Sequence, residues 1–161
     1  MRMAAIQDVE KLRFFRDLPE KARERVAGIS TLRKYDAGEV IFREGEPTSR
    51  LCVLAKGFVS FRQSQKGSKN EVTIGTLADF GEVFGISALI GHTSAYTLTA
   101  NCVEATEVYE IEGTRLFDLC EENPTEGVAI LRALTVIMAD RLTGAREQIR
   151  SRLLPGLISH G

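Results

Sequence analysis

An excess of basic charge is missing from this chain: 21 Lys and Arg stand against 22 Asp and Glu in 161 residues, for a formal net charge of −1. A globally basic nucleic-acid footprint is thereby excluded. Long apolar runs are missing too. The most apolar segment, residues 128–139, is broken by Arg132 and falls far short of the ~20 residues a membrane span requires. Residues 1–6 have no apolar stretch of the kind that marks a signal peptide. Cysteine is sparse: Cys52, Cys102 and Cys120 are odd in number, widely separated and without CxxC spacing. That pattern argues against a zinc or iron–sulfur centre and suits buried thiols in a reducing cytoplasm. With two histidines, neither a cupin-like metal site nor a converging Ser/His/Asp or Cys/His set can be assembled. The expectation is a cytoplasmic protein with no catalytic residues, no metal and no cofactor.

Low-complexity tracts and repeats of 20–50 residues are absent as well, which excludes a disordered chain and a solenoid. What remains is 43% hydrophobic and 27% charged, enough for one domain spanning 1–161 with its own core. Residues 8–31 carry a helical period, with Val9, Leu12, Phe15 and then Ala22, Val26, Ile29 on apolar faces. Asp17-Leu18-Pro19 separates two short helices, with Asp17 or Leu18 at the cap and Pro19 suited to the first helical position. Residues 32–112 switch to short alternating strands at roughly ten-residue spacing. Candidates are 40–43, 51–55, 58–63, 71–77, 96–103 and 107–111, separated by turns such as Asp36-Ala37-Gly38 and Lys56-Gly57. Regular glycine turns between short strands imply a barrel or jelly roll.

Helix returns over residues 114–154. Thr114 is placed to cap a short helix. Asn123-Pro124-Thr125-Glu126 then supplies a cap residue, a proline just inside it and an acidic residue in the first turn, so one long helix is expected from there to about residue 154. It carries two apolar stripes. Ile130, Leu134 and Ile137 form one; Val128, Leu131, Thr135, Met138, Leu142, Ala145 and Ile149 fall on heptad a/d spacing and form the other. Packing on its own domain uses a single stripe. The second, Leu131, Thr135, Met138, Leu142 and Ile149 above all, is expected to meet the same helix of a second copy in a homodimer. Arg141, Arg146, Arg150 and Arg152 are read as complements to the helix C-terminal dipole.

The stretch "FGEVFGISALIGHTSAYT" at 80–97 sets glycines among the hydroxyls of Ser87, Thr93, Ser94 and Thr97, as a backbone that approaches a phosphate closely would. Upstream, "YDAGEVIFREGEPTSRLCVLAKGFVSF" closely resembles the opening of the cyclic-nucleotide-binding domain. That domain occurs in catabolite-activator-type (Crp/Fnr) transcription regulators, in kinase regulatory subunits and in gated channels. The resemblance runs from residue 9 to about 150 and rests on Gly38, Gly45, Gly57, Gly81 and Gly85 in register. It implies a mainly β fold with flanking helices: short N-terminal helices, an eight-stranded β-roll of jelly-roll type and a long C-terminal dimerisation helix.

It also implies a ligand site. In the family a Glu accepts from the ribose 2′-OH, and an Arg about ten residues later pairs with the cyclic phosphate. Gly81-Glu82-Val83-Phe84-Gly85 matches the approach to that cassette, and Ala88-Leu89 matches its short helix. Ile86 then stands at the Glu position, Tyr96 at the Arg position and Thr97 at the following Ser/Thr; Glu82 lies one turn too early for the ribose. The cassette positions are therefore Gly85, Ile86, Ser87, Ala88, Tyr96 and Thr97, with His92 the nearby residue able to carry positive charge. Losing both charged contacts should cost roughly 4–7 kcal/mol, a thousandfold or more in affinity. Cyclic AMP should thus bind weakly, or the walls should suit another small-molecule effector or be packed shut. Only residues 155–161 follow the long helix, too few for a recognition helix. The expectation is a ligand-sensing regulatory module with no direct DNA or membrane contact. The alternatives are a ligand-free dimerisation or interaction module, and the effector half of a truncated transcription regulator.

Overall fold

Short alternating segments build two antiparallel sheets, and the helical segments cover one of them. A computed structural model describes residues 2–68, 70–90 and 94–153, apart from the side chain of Ile90. Among these the order is β1 (Arg2–Met3), α1 (Ile6–Val9), α2 (Arg13–Arg16), α3 (Glu20–Gly28), β2 (Ser30–Tyr35), β3 (Val40–Phe42), β4 (Arg50–Lys56) and β5 (Val59–Ser64). β6 (Glu71–Leu77), β7 (Val83–Phe84), a 3-10 helix (Ile86–Ile90), β8 (Thr99–Cys102), β9 (Thr106–Glu112), α4 (Gly113–Glu122) and α5 (Pro124–Leu153) follow. One sheet has the order β1-β2-β9-β4-β7 and the other β3-β8-β5-β6.

Residue alternation assigns the two faces of the first sheet. In β4, Leu51 and Val53 join Tyr109 and Ile111 of β9 and the buried residues of all five helices in one core. Cys52 and Leu54, with Val108 of β9, turn the other way and meet Phe42, Val59, Ala100 and Cys102 from the opposite sheet. The molecule thus has a helical core outside the roll and a second core within it. The jelly-roll expectation holds, as do the N-terminal helices and the long C-terminal helix.

Several local expectations shift. Pro19 is the cap of α3, with φ −55° and ψ 152°, instead of its first residue, and Asp17 is the C-cap of α2. Arg23 closes that corner by donating to the carbonyls of Phe15, Arg16 and Leu18. β2 was not among the expected strands, because Arg33 and Lys34 interrupt its apolar pattern; it is held by six paired residues along β9, from Ser30↔Ile111 to Tyr35↔Thr106. The strand expected at 96–103 shortens to Thr99–Cys102, since Tyr96 is occupied elsewhere. Glu112, not Thr114, stands at the N-cap of α4. The long helix begins at Pro124 as its cap residues indicated.

Candidate functional site

Glycines decide how closely the cassette lies on the rest of the fold. Gly38, Gly45, Gly57, Gly81 and Gly85 all have positive φ, between 72° and 100°. At Gly81 a Cβ would stand 2.0 Å from the Arg13 amide nitrogen, and the Gly81 carbonyl accepts from the Phe14 amide at 3.2 Å. At Gly85 a Cβ would stand 2.8 Å from the Arg50 carbonyl oxygen and 3.6 Å from the Tyr96 ring. The cassette backbone is therefore clamped between α2 on one side and the start of β4 on the other.

Tyr96 fills the interior of that clamp. Its side chain is buried and its ring stacks on Phe42 with centroids 3.8 Å apart and planes 10° from parallel. The amides of Ser49 and Arg50 donate to its hydroxyl at 3.2 and 3.0 Å, and the hydroxyl donates to the Arg50 carbonyl at 2.9 Å. A phenol has one proton and two acceptor sites, so its capacity is used in full. Its backbone is fixed as well: the Tyr96 amide donates to Glu46 and its carbonyl accepts from Gly45.

The other cassette positions diverge. Gly85 lies against Tyr96, but Ile86 packs on the helical core outside the roll. The Ser87 carbonyl accepts from the Thr48 hydroxyl at 3.3 Å. Ala88 is buried, whereas Thr97 is exposed. His92 lies outside the described residues. Tyr96 and Ile86 therefore do not converge on a common point: one faces the inner core and the other the outer.

Glu82, one turn before the cassette, takes a different role from ligand contact. It accepts from Arg13 of α2 at 2.9 Å and from Arg141 of α5 at 3.5 Å, and Arg141 also donates to the Val83 carbonyl. Burial lowers the Arg141 pKa, with Glu82 acting against that loss. Arg141 is thus a tie between α5 and the cassette and not, as its position near the helix end suggested, a complement to the helix dipole. The signal was available: it continues the inward spacing of Ile130, Leu134 and Ile137. Arg13 had no comparable signal.

A second polar cluster sits inside the roll. Arg50 donates to the Ile41 carbonyl at 2.8 Å and pairs with Glu110 at 3.4 Å, while Arg33 reaches Glu110 at 3.7 Å. Tyr35 donates to Glu110 as well. Burial and then the neighbouring Glu110 carboxylate push the Tyr35 phenol well above its ordinary pKa. Burial opposes the charge on Arg50, but Glu110 and Tyr35 together raise its pKa. The thiols of Cys52, Cys102 and Cys120 are buried, and burial pushes all three upward.

Residues 32–123 match the family model of the cyclic nucleotide-binding domain. The chain belongs to this family. As a cyclic nucleotide-binding domain it is 38% identical over 95 residues to cGMP-dependent protein kinase 2 of Mus musculus, which covers 55% of this chain and 12% of the kinase. It therefore spans only a small part of the curated relatives it matches. A protein of Geobacter metallireducens GS-15, named for a proposed cyclic-nucleotide-binding role, has a similar structure: TM-score 0.73 and 27% identity, over 87% of this chain and 99% of that one. The catabolite activator protein of Thermus thermophilus superposes with TM-score 0.70 and 23% identity, over 88% of this chain and 63% of that one. The regulatory subunit of a cAMP-independent protein kinase A from Trypanosoma brucei, a triple mutant bound to cAMP in its A site, gives TM-score 0.70 and 16% identity, over 92% and 50%. The last two likenesses are of fold alone. No helix among the described residues is long and apolar enough to cross a membrane.

Proposed function

We propose that this domain is a non-catalytic, cytoplasmic regulatory module that acts as a homodimer and binds cyclic AMP weakly or not at all. The observation that carries this reading is Tyr96, at the position the family gives to its phosphate-binding Arg. Its ring is stacked on Phe42 and its hydroxyl is saturated by the Ser49–Arg50 backbone. A ligand phosphate would have to displace a buried ring and break three hydrogen bonds of ~0.5–1.5 kcal/mol each, and a tyrosine at that position would offer it no charge in return. Ile86, at the position of the ribose-binding Glu, offers no acceptor and faces the other core. The Trypanosoma brucei subunit, cAMP-independent by name yet bound to cAMP as a triple mutant, offers a parallel for a nucleotide-binding fold whose response rests on a few side chains. A small-molecule effector acting at Gly85, Ile86, Ser87, Ala88, Tyr96 and Thr97 would have to be less polar than a cyclic nucleotide. DNA and membrane contact form no part of this reading.

Regulation is supported by Arg141, which joins the cassette to α5. Leu131, Met138, Leu142 and Ile149 of that helix are 44–59% exposed, and Thr135 on the same stripe is exposed too. A partner copy would cover them.

Titration calorimetry with cyclic AMP tests the reading. The expected wild-type Kd is millimolar or weaker, and Ile86→Glu combined with Tyr96→Arg should recover part of the affinity. A micromolar wild-type Kd would overturn it. The saturated hydroxyl of Tyr96 also favours a second reading, a dimerisation module with no ligand at all. Mass spectrometry of small molecules released from purified protein separates the two, since only a sensing module would carry one.

A further inference from the structure

On the outer side of α5 a groove of about 460 Å³ runs between α2 and the first half of the helix. Phe14 and Ile137 are buried in its floor, Ala129 and Ala133 are part-buried in its wall, and Val136 is half exposed beside them. The methyl side chains of the two alanines are what leave the space open. At 100° per residue, Ala129, Ala133 and Val136 lie on one flank of the inward stripe Ile130, Leu134 and Ile137, while Leu131, Met138 and Leu142 lie on the other. The groove and the heptad stripe therefore share Val128 and diverge along the rest of the helix.

Two arginines and the carboxylate of Asp17 stand on its rim. Arg13 is committed, to Glu82, to Asp140 and to Asp17. Arg132 has no ion pair or hydrogen bond among the described residues. It projects from α5 one turn from Val128 and Val136 and three residues from Ala129, so an apolar floor and an uncommitted guanidinium border one space. The volume falls within the range of small-molecule sites, and a guanidinium is the side chain best matched to a carboxylate.

We infer that this groove binds a small amphiphilic anion, an apolar chain or ring bearing one carboxylate, with the apolar part on Phe14, Ala133 and Ile137 and the carboxylate at Arg132. Arg13 links the same rim to Glu82 at the cassette. The inference does not depend on whether the cassette binds a nucleotide.

Sodium decanoate, kept below its micelle concentration, is the probe. Calorimetric titration of the full chain should show one saturable site, at least tenfold tighter than for decanol or for decyltrimethylammonium. Arg132→Glu should weaken decanoate binding tenfold or more, and Ala133→Phe should abolish it by filling the groove. If Ala133→Phe fails to fold by circular dichroism, Val136→Asp, at an exposed position, should produce the loss instead. Val72→Asp, at an exposed apolar residue of β6, should change nothing. The inference is overturned by an absence of saturable binding, by equal binding of the cationic amphiphile, by unchanged affinity in Arg132→Glu, or by loss in Val72→Asp. It is overturned equally if Val136→Asp abolishes self-association, which would assign the groove to a second copy of the chain.

Discussion

The cassette and the distal half of α5 dispose of unmatched chemistry in opposite ways. At the cassette no polar group of the clamp is left bare: Tyr96 stacks on Phe42 and satisfies the backbone at the start of β4. Beyond Arg141 the helix continues for three turns with every described residue exposed, including Leu142 at 54%, Ile149 at 59% and Leu153 at 74%. One region has closed on itself; the other has left its apolar surface bare. The contrast teaches that a segment enclosed by the fold can satisfy its polar groups from within, because neighbouring side chains already surround it. The distal turns of α5 have no such neighbours among the described residues, so their apolar stripe stays exposed.

The closure breaks most completely at Gly81. Gly81→Ala places a Cβ against the Arg13 amide in a backbone conformation with φ +84°, and the two effects should destabilise the domain by ~4 kcal/mol or more. Urea denaturation measures this, and a loss below ~1 kcal/mol would mean that the cassette is not clamped to α2. Tyr96→Phe keeps the stacking and removes the hydroxyl, so a loss of ~1–3 kcal/mol is expected. No change in the same denaturation experiment would show that the Ser49 and Arg50 amides find other partners.

Tyr35 probes the polar cluster of the same roll, with a smaller effect. Its pKa is raised above the ordinary 10.0 by burial and Glu110, so the folded state holds the proton more tightly than the unfolded state. The contribution is full below pH 10 and is lost as pH rises beyond it, where the unfolded chain ionises first. Thermal unfolding above pH 10 should therefore fall more steeply for the wild type than for Tyr35→Phe; parallel curves would remove Tyr35 from the network. The smallest effect on the fold belongs to Leu142→Glu, at an exposed position. Monomer stability should change by no more than ~0.5 kcal/mol, while light scattering at tens of micromolar should show the dimer mass replaced by the monomer mass. A wild-type chain that is already monomeric at that concentration would sink the dimer.

The order of elements was legible because it depends on spacing. The glycine register, the turns of β4 and β5 and the Asn123-Pro124 helix start were all readable from residues a few positions apart. β2 was hidden by Arg33 and Lys34, whose charges suit a strand with one solvated edge but erase the alternation. β7 was too short, at two residues, to carry a pattern. At the cassette, positions 86 and 96 could be singled out by counting. That Ile86 would turn to the helical core while Tyr96 turned to the inner one could not, since both lie in a segment of irregular backbone. Arg141 was assigned to its own helix end because its partner, Glu82, is 59 positions away.

By itself, then, the sequence determined the β-roll, its flanking helices, the glycine turns and a second apolar stripe on α5. These follow from periodicities of two to four residues and from the positive φ that glycine tolerates. Only the tertiary structure decided what fills the interior of the cassette, that Glu82 is the partner of Arg141 and where an uncommitted Arg132 meets an apolar groove. Each of those outcomes is a contact between elements distant in sequence, such as Tyr96 with Arg50 across 46 positions. No local pattern encodes such a contact until the sheets and helices have packed.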